Sequence, residues 1–155
     1  FNAHGIEETV PLDIVSIPGG PLVTAIGDYD GAVYTDINAS AQRHTPTVGS
    51  TESMAFAPLS GSLLRTGVIT VYGQYESINY NVMYRSDDMG KTWDSVKTTL
   101  KGPKGMVVLS ADGKVMLHRP EMGSTTYRSA DNGATWTAVE LDGGQTQNSR
   151  IVADP

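Results

Sequence analysis

The stretch YRSDDMGKTW, which begins at Tyr84, returns 43 positions later as YRSADNGATW, beginning at Tyr127. Both copies read Tyr-Arg-Ser-x-Asp-x-Gly-x-Thr-Trp, and the two Trp of the chain close the two copies. A repeat at this period restricts the fold to architectures that stack one small unit on the next. Its chemistry reads as a turn between two antiparallel strands. Asp88 and Asp131 are placed to accept backbone N–H groups of their own turn, as Asx residues do. Gly90 and Gly133 supply positive φ without a Cβ penalty. Trp93 and Trp136 start the next strand and fold back to bury a large apolar area.

No amphipathic helical period accompanies the repeat. Short β-rich runs alternate with turn signals such as PGGP, GDYDG, SADGK, DDMGK and ADNGA. The clearest unit runs through MVVLSADG, KVMLHRP, TTYRSADNG and TWTAVEL, four strands as an up-and-down meander. The unit before it, with SMAFAP, GVITVYG, NVMYRSDDMG and TWDSVKT, has the same order. A third, degraded unit opens the chain as PLDIVSIP, LVTAIGD and GAVYTD, with Tyr34 at the place of Tyr84 and Tyr127. Residues 39–53 are polar and aperiodic and read as a long loop.

Successive four-stranded units at this spacing predict an all-β fold, a partial β-propeller of antiparallel blades. The expected division is residues 1–52 for the degraded blade and loop, 53–104 and 105–142 for the two motif-bearing blades, and 143–155 for the start of another. Two or three blades do not close a ring, so the chain is expected to be a fragment of a larger protein. Remaining blades or another chain would cover its open sheet edges.

Composition narrows the partners. The 155 residues carry a net charge of −6 and no Lys/Arg run, which excludes an electrostatic nucleic-acid surface. No apolar stretch reaches the ~18 residues that span a bilayer, so no membrane partner is expected. Cysteine is absent, which removes disulfides and thiol nucleophiles and leaves the compartment open. His4, His44 and His118 have no ligand spacing, and neither a metal nor another cofactor is expected. Asp88 and Asp131 recur in separate units and should lie far apart, which argues against a carboxylate pair or metal site. The alternating acids and terminal Glu of a Ca²⁺ loop are missing too.

The pattern Ser-x-Asp-x-Gly-x-Thr-Trp resembles the Asp-box, a hairpin signature of sialidase-like, glycosidase and sortilin-type propellers. That resemblance makes Ser86, Asp88, Gly90 and Trp93, with Ser129, Asp131, Gly133 and Trp136, structural residues on the outer rim. Arg85 and Arg128, inside the same strands, are then structural as well. A sialidase would need an arginine triad and an Arg-Ile-Pro sequence near its start, and the latter is absent.

Residues 5–36, GIEETVPLDIVSIPGGPLVTAIGDYDGAVYTD, resemble a segment of family-74 glycoside hydrolases, the xyloglucanases and their relatives. The likeness continues more loosely through GSTESMAFAP, both Asp-box copies and SADG. It implies a segment of the second of two facing propellers, in a secreted or extracellular enzyme. Such an enzyme hydrolyses the β-1,4-glucan backbone of xyloglucan or a related plant polysaccharide with inversion, using two carboxylates. On this resemblance Asp28 is the general acid, while the general base lies in a propeller that this chain does not contain. The family's Gly-Gly-Phe is replaced by YDGAV, which sets a further acid, Asp30, beside Asp28.

The residues themselves support a site at Asp28 by their order. The carboxyl follows LVTAI, a nearly continuous apolar run that reads as a buried inner strand, and so falls at the mouth of the blade. A general acid is kept protonated most readily by partial burial. Inversion needs a second carboxylate roughly 6.5–9.5 Å away, a distance Asp30 would meet only with both side chains facing one way. The same residues also read as a plain Asx-Gly turn. Tyr29, Tyr72, Tyr75 and Tyr80 are candidate sugar-stacking platforms, against the ordinary reading of cross-strand packing. Glu7 and Glu8 read as loop anchors. The competing functional class is a non-catalytic propeller module that binds glycan or protein.

Overall fold

The computed structural model describes residues 9–100, 102, 104–121, 123, 125–140 and 150–153. His4, Glu7, Glu8 and most of residues 143–155 lie outside the described residues. Among those described there is no helix, and twelve strands form three four-stranded antiparallel sheets. The first sheet contains β1 (Val10–Ser16), β2 (Leu22–Gly27), β3 (Asp30–Tyr34) and β4 (Gln42–Arg43). The second contains β5 (Ser50–Ala57), β6 (Ser62–Tyr72), β7 (Ser77–Ser86) and β8 (Asp94–Ser95). The third contains β9 (Gly105–Leu109), β10 (Met116–Pro120), β11 (Thr126–Ser129) and β12 (Thr137–Val139). Each sheet is an up-and-down meander in sequence order.

Two details differ from the reading of the sequence. Residues 39–53 are not one loop, because Gln42 and Arg43 pair with Val33 and Ala32 and complete the first sheet. Two exposed polar residues carry no hydrophobic period, so nothing in their composition announces a strand. LVTAI is an inner strand of its sheet, paired with β1 and β3, but it is not buried throughout. It buries alternate residues, Val23 and Ala25, while Leu22, Thr24 and Ile26 stay half-buried.

The core lies between sheets, not within them. Ile17, Val23, Ala25 and Val33 of the first sheet meet Met54, Leu63 and Trp93 of the second. Ala57, Leu64, Met83 and Val96 of the second meet Val107, Leu109 and Met116 of the third. Leu63 and Leu64 are adjacent, yet they serve opposite interfaces, since successive strand residues point to opposite faces. Strand β6 is therefore buried on both sides, which is why SLLRTGV lacks polar alternation. The first strands β1 and β5 each carry a bulge, between Pro11 and Asp13 and between Thr51 and Ser53. Asp13 then reaches across the joint to accept the N–H of Met54 at 2.9 Å.

The two repeated turns have matching geometry. Ser86 Oγ accepts the N–H of Gly90 at 2.8 Å, as Ser129 Oγ does from Gly133 at 2.9 Å. Asp88 and Asp131 each accept the N–H of the Thr four residues on, at 2.9 Å, and that residue's hydroxyl as well. The φ angles agree too, 59° at Met89 and at Asn132, and 88° and 86° at Gly90 and Gly133. These bonds hold the exposed Asp131 carboxyl at about 2, well below the usual carboxylate range.

Truncating Leu63 to Ala should cost about 2–5 kcal/mol in urea unfolding, by lost transfer energy and a cavity at the first joint. The same change at Leu59, which is 79% exposed, should stay within about 0.5 kcal/mol of wild type.

Candidate functional site at one end of the sheets

In a meander the first and third turns of each sheet lie at one end, and the second turn lies at the other. The repeated turns are third turns, β7–β8 and β11–β12. Their end is joined across sheets by Arg85, which donates to the Gly113 carbonyl at 2.8 Å, to Ser62 Oγ at 3.0 Å and to Asp87 at 2.8 Å. Asp28 occupies a second turn, β2–β3, at the opposite end. The β6–β7 hairpin, whose strands are 11 and 10 residues long, extends from that same end.

Asp28 is exposed, takes φ of 69° and has no hydrogen bond to its carboxylate among the described residues. Its side chain is thus not consumed by its own turn. It is also more open than the partial burial expected of it. Asp30 behaves in the opposite way. It is 0% exposed and forms an ion pair with Arg65 of β6. It also accepts the hydroxyl of Thr51 at 2.6 Å and the N–H of Val48 at 3.0 Å. A carboxylate with its oxygens so occupied does not face a substrate, so Asp30 does not fit the second-carboxylate role considered for it. One acid points out and the other in, because the turn between β2 and β3 reverses the chain within two residues.

Arg65 is 1% exposed. It donates to the Pro46 carbonyl at 2.7 Å and lies over the rings of Trp93 and Tyr84, 4.6 and 5.1 Å from their centroids. Burial pulls its guanidinium down from the usual arginine range, and the Asp30 carboxylate acts against this. His44 closes the cluster, its Nε2 3.0 Å from the Thr24 carbonyl and its ring edge-on to Trp93 at 5.3 Å. Trp93 therefore does more than pin its own turn: it forms part of the wall between the first two sheets.

Several tyrosines are exposed at this end of the sheets. Tyr29 is half exposed beside it, with the Arg43 guanidinium 5.4 Å from its ring centroid. Tyr72, Tyr75 and Tyr80 are exposed on the β6–β7 hairpin, Tyr75 by 93%.

Across nearly all of this architecture the chain has solved counterparts. A GH74 enzyme from Niastella koreensis superposes with a TM-score of 0.79 at 40% identity, over 97% of this chain and 20% of its own. A GH74 xyloglucanase from Xanthomonas campestris gives 0.79 at 28% identity, over 97% of this chain and 21% of its own. By sequence, a xyloglucanase of Acetivibrio thermocellus is 31% identical over 140 residues, 86% of this chain and 16% of the relative. The chain belongs to the family-74 glycoside hydrolases. It spans about a sixth to a fifth of the length of these relatives. No protein-family model matches it.

A cavity of about 540 Å³ in this family-74 segment lies away from Asp28, along the first strands of the three sheets. Leu12, Asp13, Glu52, Met54, Lys104 and Met106 are among its lining residues. Its acids and its lysine are already engaged: Lys104 contacts Glu121 at 3.1 Å and Glu52 at 3.8 Å, and Asp13 is bonded to Ile14 and Met54. Asp28, by contrast, is exposed and has no such partner among the described residues. The residue that reading the sequence missed is Arg65. The available signal was a lone charge inside the otherwise uncharged SLLRTGV, and such a residue, when buried, needs a counter-ion.

The buried histidines make the fold acid-sensitive. Burial and the Arg65 charge push His44 below its ordinary 6.5, against its bond to the Thr24 carbonyl and the Asp30 charge. Burial pushes His118 to about 4, against its bond to the Met106 carbonyl. A histidine depressed in the fold contributes stability that is full above about 6.5 and is lost as pH falls toward the folded value. Stability should therefore drop between pH 6.5 and 4. His118→Gln should flatten that slope by up to about 3 kcal/mol in unfolding measured across this range.

Proposed function

We propose that this chain supplies the general acid of a family-74 glycoside hydrolase acting on the β-1,4-glucan backbone of xyloglucan or a related plant polysaccharide. Asp28 protonates the departing glycosidic oxygen. A carboxylate from outside this chain activates the water that attacks the anomeric carbon from the opposite face, with inversion. The observation that carries this reading is the contrast within one turn: Asp28 is open and unbonded, while its neighbour Asp30 is buried and ion-paired. Substrate lying over Asp28, together with the rest of the protein, provides the desolvation that this chain alone does not. Polysaccharide of this kind is extracellular, so the protein that acts on it is secreted.

The repeated turns are read as Asp-box hairpins with no part in the chemistry. Tyr29, Tyr75 and Tyr80 serve as stacking surfaces for pyranose rings. The three sheets are blades of a propeller that the remaining chain closes, and it is the remaining chain that brings the base.

In the full-length protein, Asp28→Asn should reduce release of reducing ends from xyloglucan by about 10²–10⁴-fold in kcat, with binding of the polymer retained. Retention of wild-type turnover by this variant would remove the acid assignment, whereas binding of the polymer without turnover in the wild-type protein would favour a glycan-binding module. Tyr75→Ala should raise KM for xyloglucan several-fold with kcat nearly unchanged, as loss of a stacking surface does. The 155-residue chain alone should show no appreciable hydrolysis.

A further inference from the structure

We infer that Arg65 is a positioning residue for the Asp28 carboxyl, acting through Asp30 across the joint between the first two sheets. This rests on the reading of Asp28 as the acid.

The backbone of the β2–β3 turn is held in an uncommon conformation. Asp28 and Asp30, neither of them glycine, take φ of 69° and 75° within three residues. Such left-handed positions persist where surrounding contacts over-determine them. Gly31 follows at φ 126°, where an added Cβ would lie 1.9 Å from the Thr24 carbonyl oxygen. The C-terminal side of the turn thus packs too closely on β2 to accept any side chain at this position.

The contacts that impose this conformation come largely from the second sheet. Arg65 and Thr51 bind Oδ1 of Asp30, and the N–H of Val48, at the entry to β5, binds Oδ2. Arg65 has little freedom of its own. One end of its fork donates to the Pro46 carbonyl, and two aromatic rings flank its plane. From within the first sheet, Arg43 adds a bond to the Tyr29 carbonyl at 3.1 Å. Asp28 is therefore the free end of a lever whose other end is bolted into the neighbouring sheet. An acid must sit within hydrogen-bond reach of the glycosidic oxygen, and a displacement of about 1 Å costs on the order of 10²-fold. A lysine keeps the charge of Arg65 but lacks the planar fork that serves Asp30 and Pro46 together.

The test uses the full-length protein and two substrates. One is xyloglucan, whose leaving group needs a proton. The other is an aryl glycoside of a xyloglucan oligosaccharide with a strongly acidic phenol, whose leaving group does not. Arg65→Lys should lower kcat on xyloglucan by about 10–100-fold. KM should stay within about twofold and the loss on the aryl glycoside below about threefold. Thr51→Val, which removes one bond to Asp30 and keeps the ion pair, should shift the same ratio more weakly. It carries the test should Arg65→Lys fail to fold. Equal losses on both substrates, or unchanged kcat on xyloglucan in a folded variant, would overturn the inference. Loss of activity in Asp28→Asn together with full activity in folded Arg65→Lys would sink only the positioning role. Full activity in Asp28→Asn would sink the acid itself.

Discussion

The ion pair between Asp30 and Arg65 is the interaction on which the site end of this chain depends. Both partners are almost wholly buried, and removing two charges from water costs several kcal/mol before any attraction is counted. The cost is offset because Asp30 also receives Thr51 and Val48, and Arg65 also reaches Pro46 and two aromatic faces. A pair so arranged adds little net stability compared with apolar side chains of the same volume, but loss of one partner leaves a stranded charge. Apolar faces such as Val23 against Leu63 tolerate small slides and tilts. A guanidinium fork with fixed partners does not. The pair therefore sets how the second sheet sits on the first and, through the turn of Asp30, where Asp28 stands.

The two ends of the sheets are organised on opposite principles. At one end the polar groups are satisfied locally: Ser86, Asp88 and Thr92 bond one another, and Ser129, Asp131 and Thr135 repeat the arrangement. Arg85 then ties one such turn to the β9–β10 turn. At the other end several tyrosines face solvent, and Asp28 and Tyr29 do so beside a buried network that holds Asp30 of the same turn. Saturated turns make durable construction. Unsaturated groups on a stiff support are what a polymer-binding and proton-donating surface requires.

Much of the fold was legible because it is carried by local signals. The matched turns, the period between them and the Gly/Asx punctuation announce four-stranded units, and β9 to β12 follow the predicted order. The strand at Gln42–Arg43 was not legible, since two polar residues have no period and are recruited only by pairing with β3. At the site, Asp28 was visible through its place after an apolar strand and through the family resemblance. Its openness and the burial of Asp30 were not visible, because in DYD the two acids look equivalent.

The sequence by itself determined the all-β character, the repeated hairpins and the family, since each rests on residues within a few positions of one another. Tertiary structure alone decided which acid of the turn is available. That choice depends on Arg65, 35 residues beyond Asp30 in the chain. It lies on another sheet and is brought to the joint by the packing of Leu63 and Leu64 on opposite faces of β6. A charge inside an apolar strand must find its counter-ion, but only the assembled interface says which carboxylate that is.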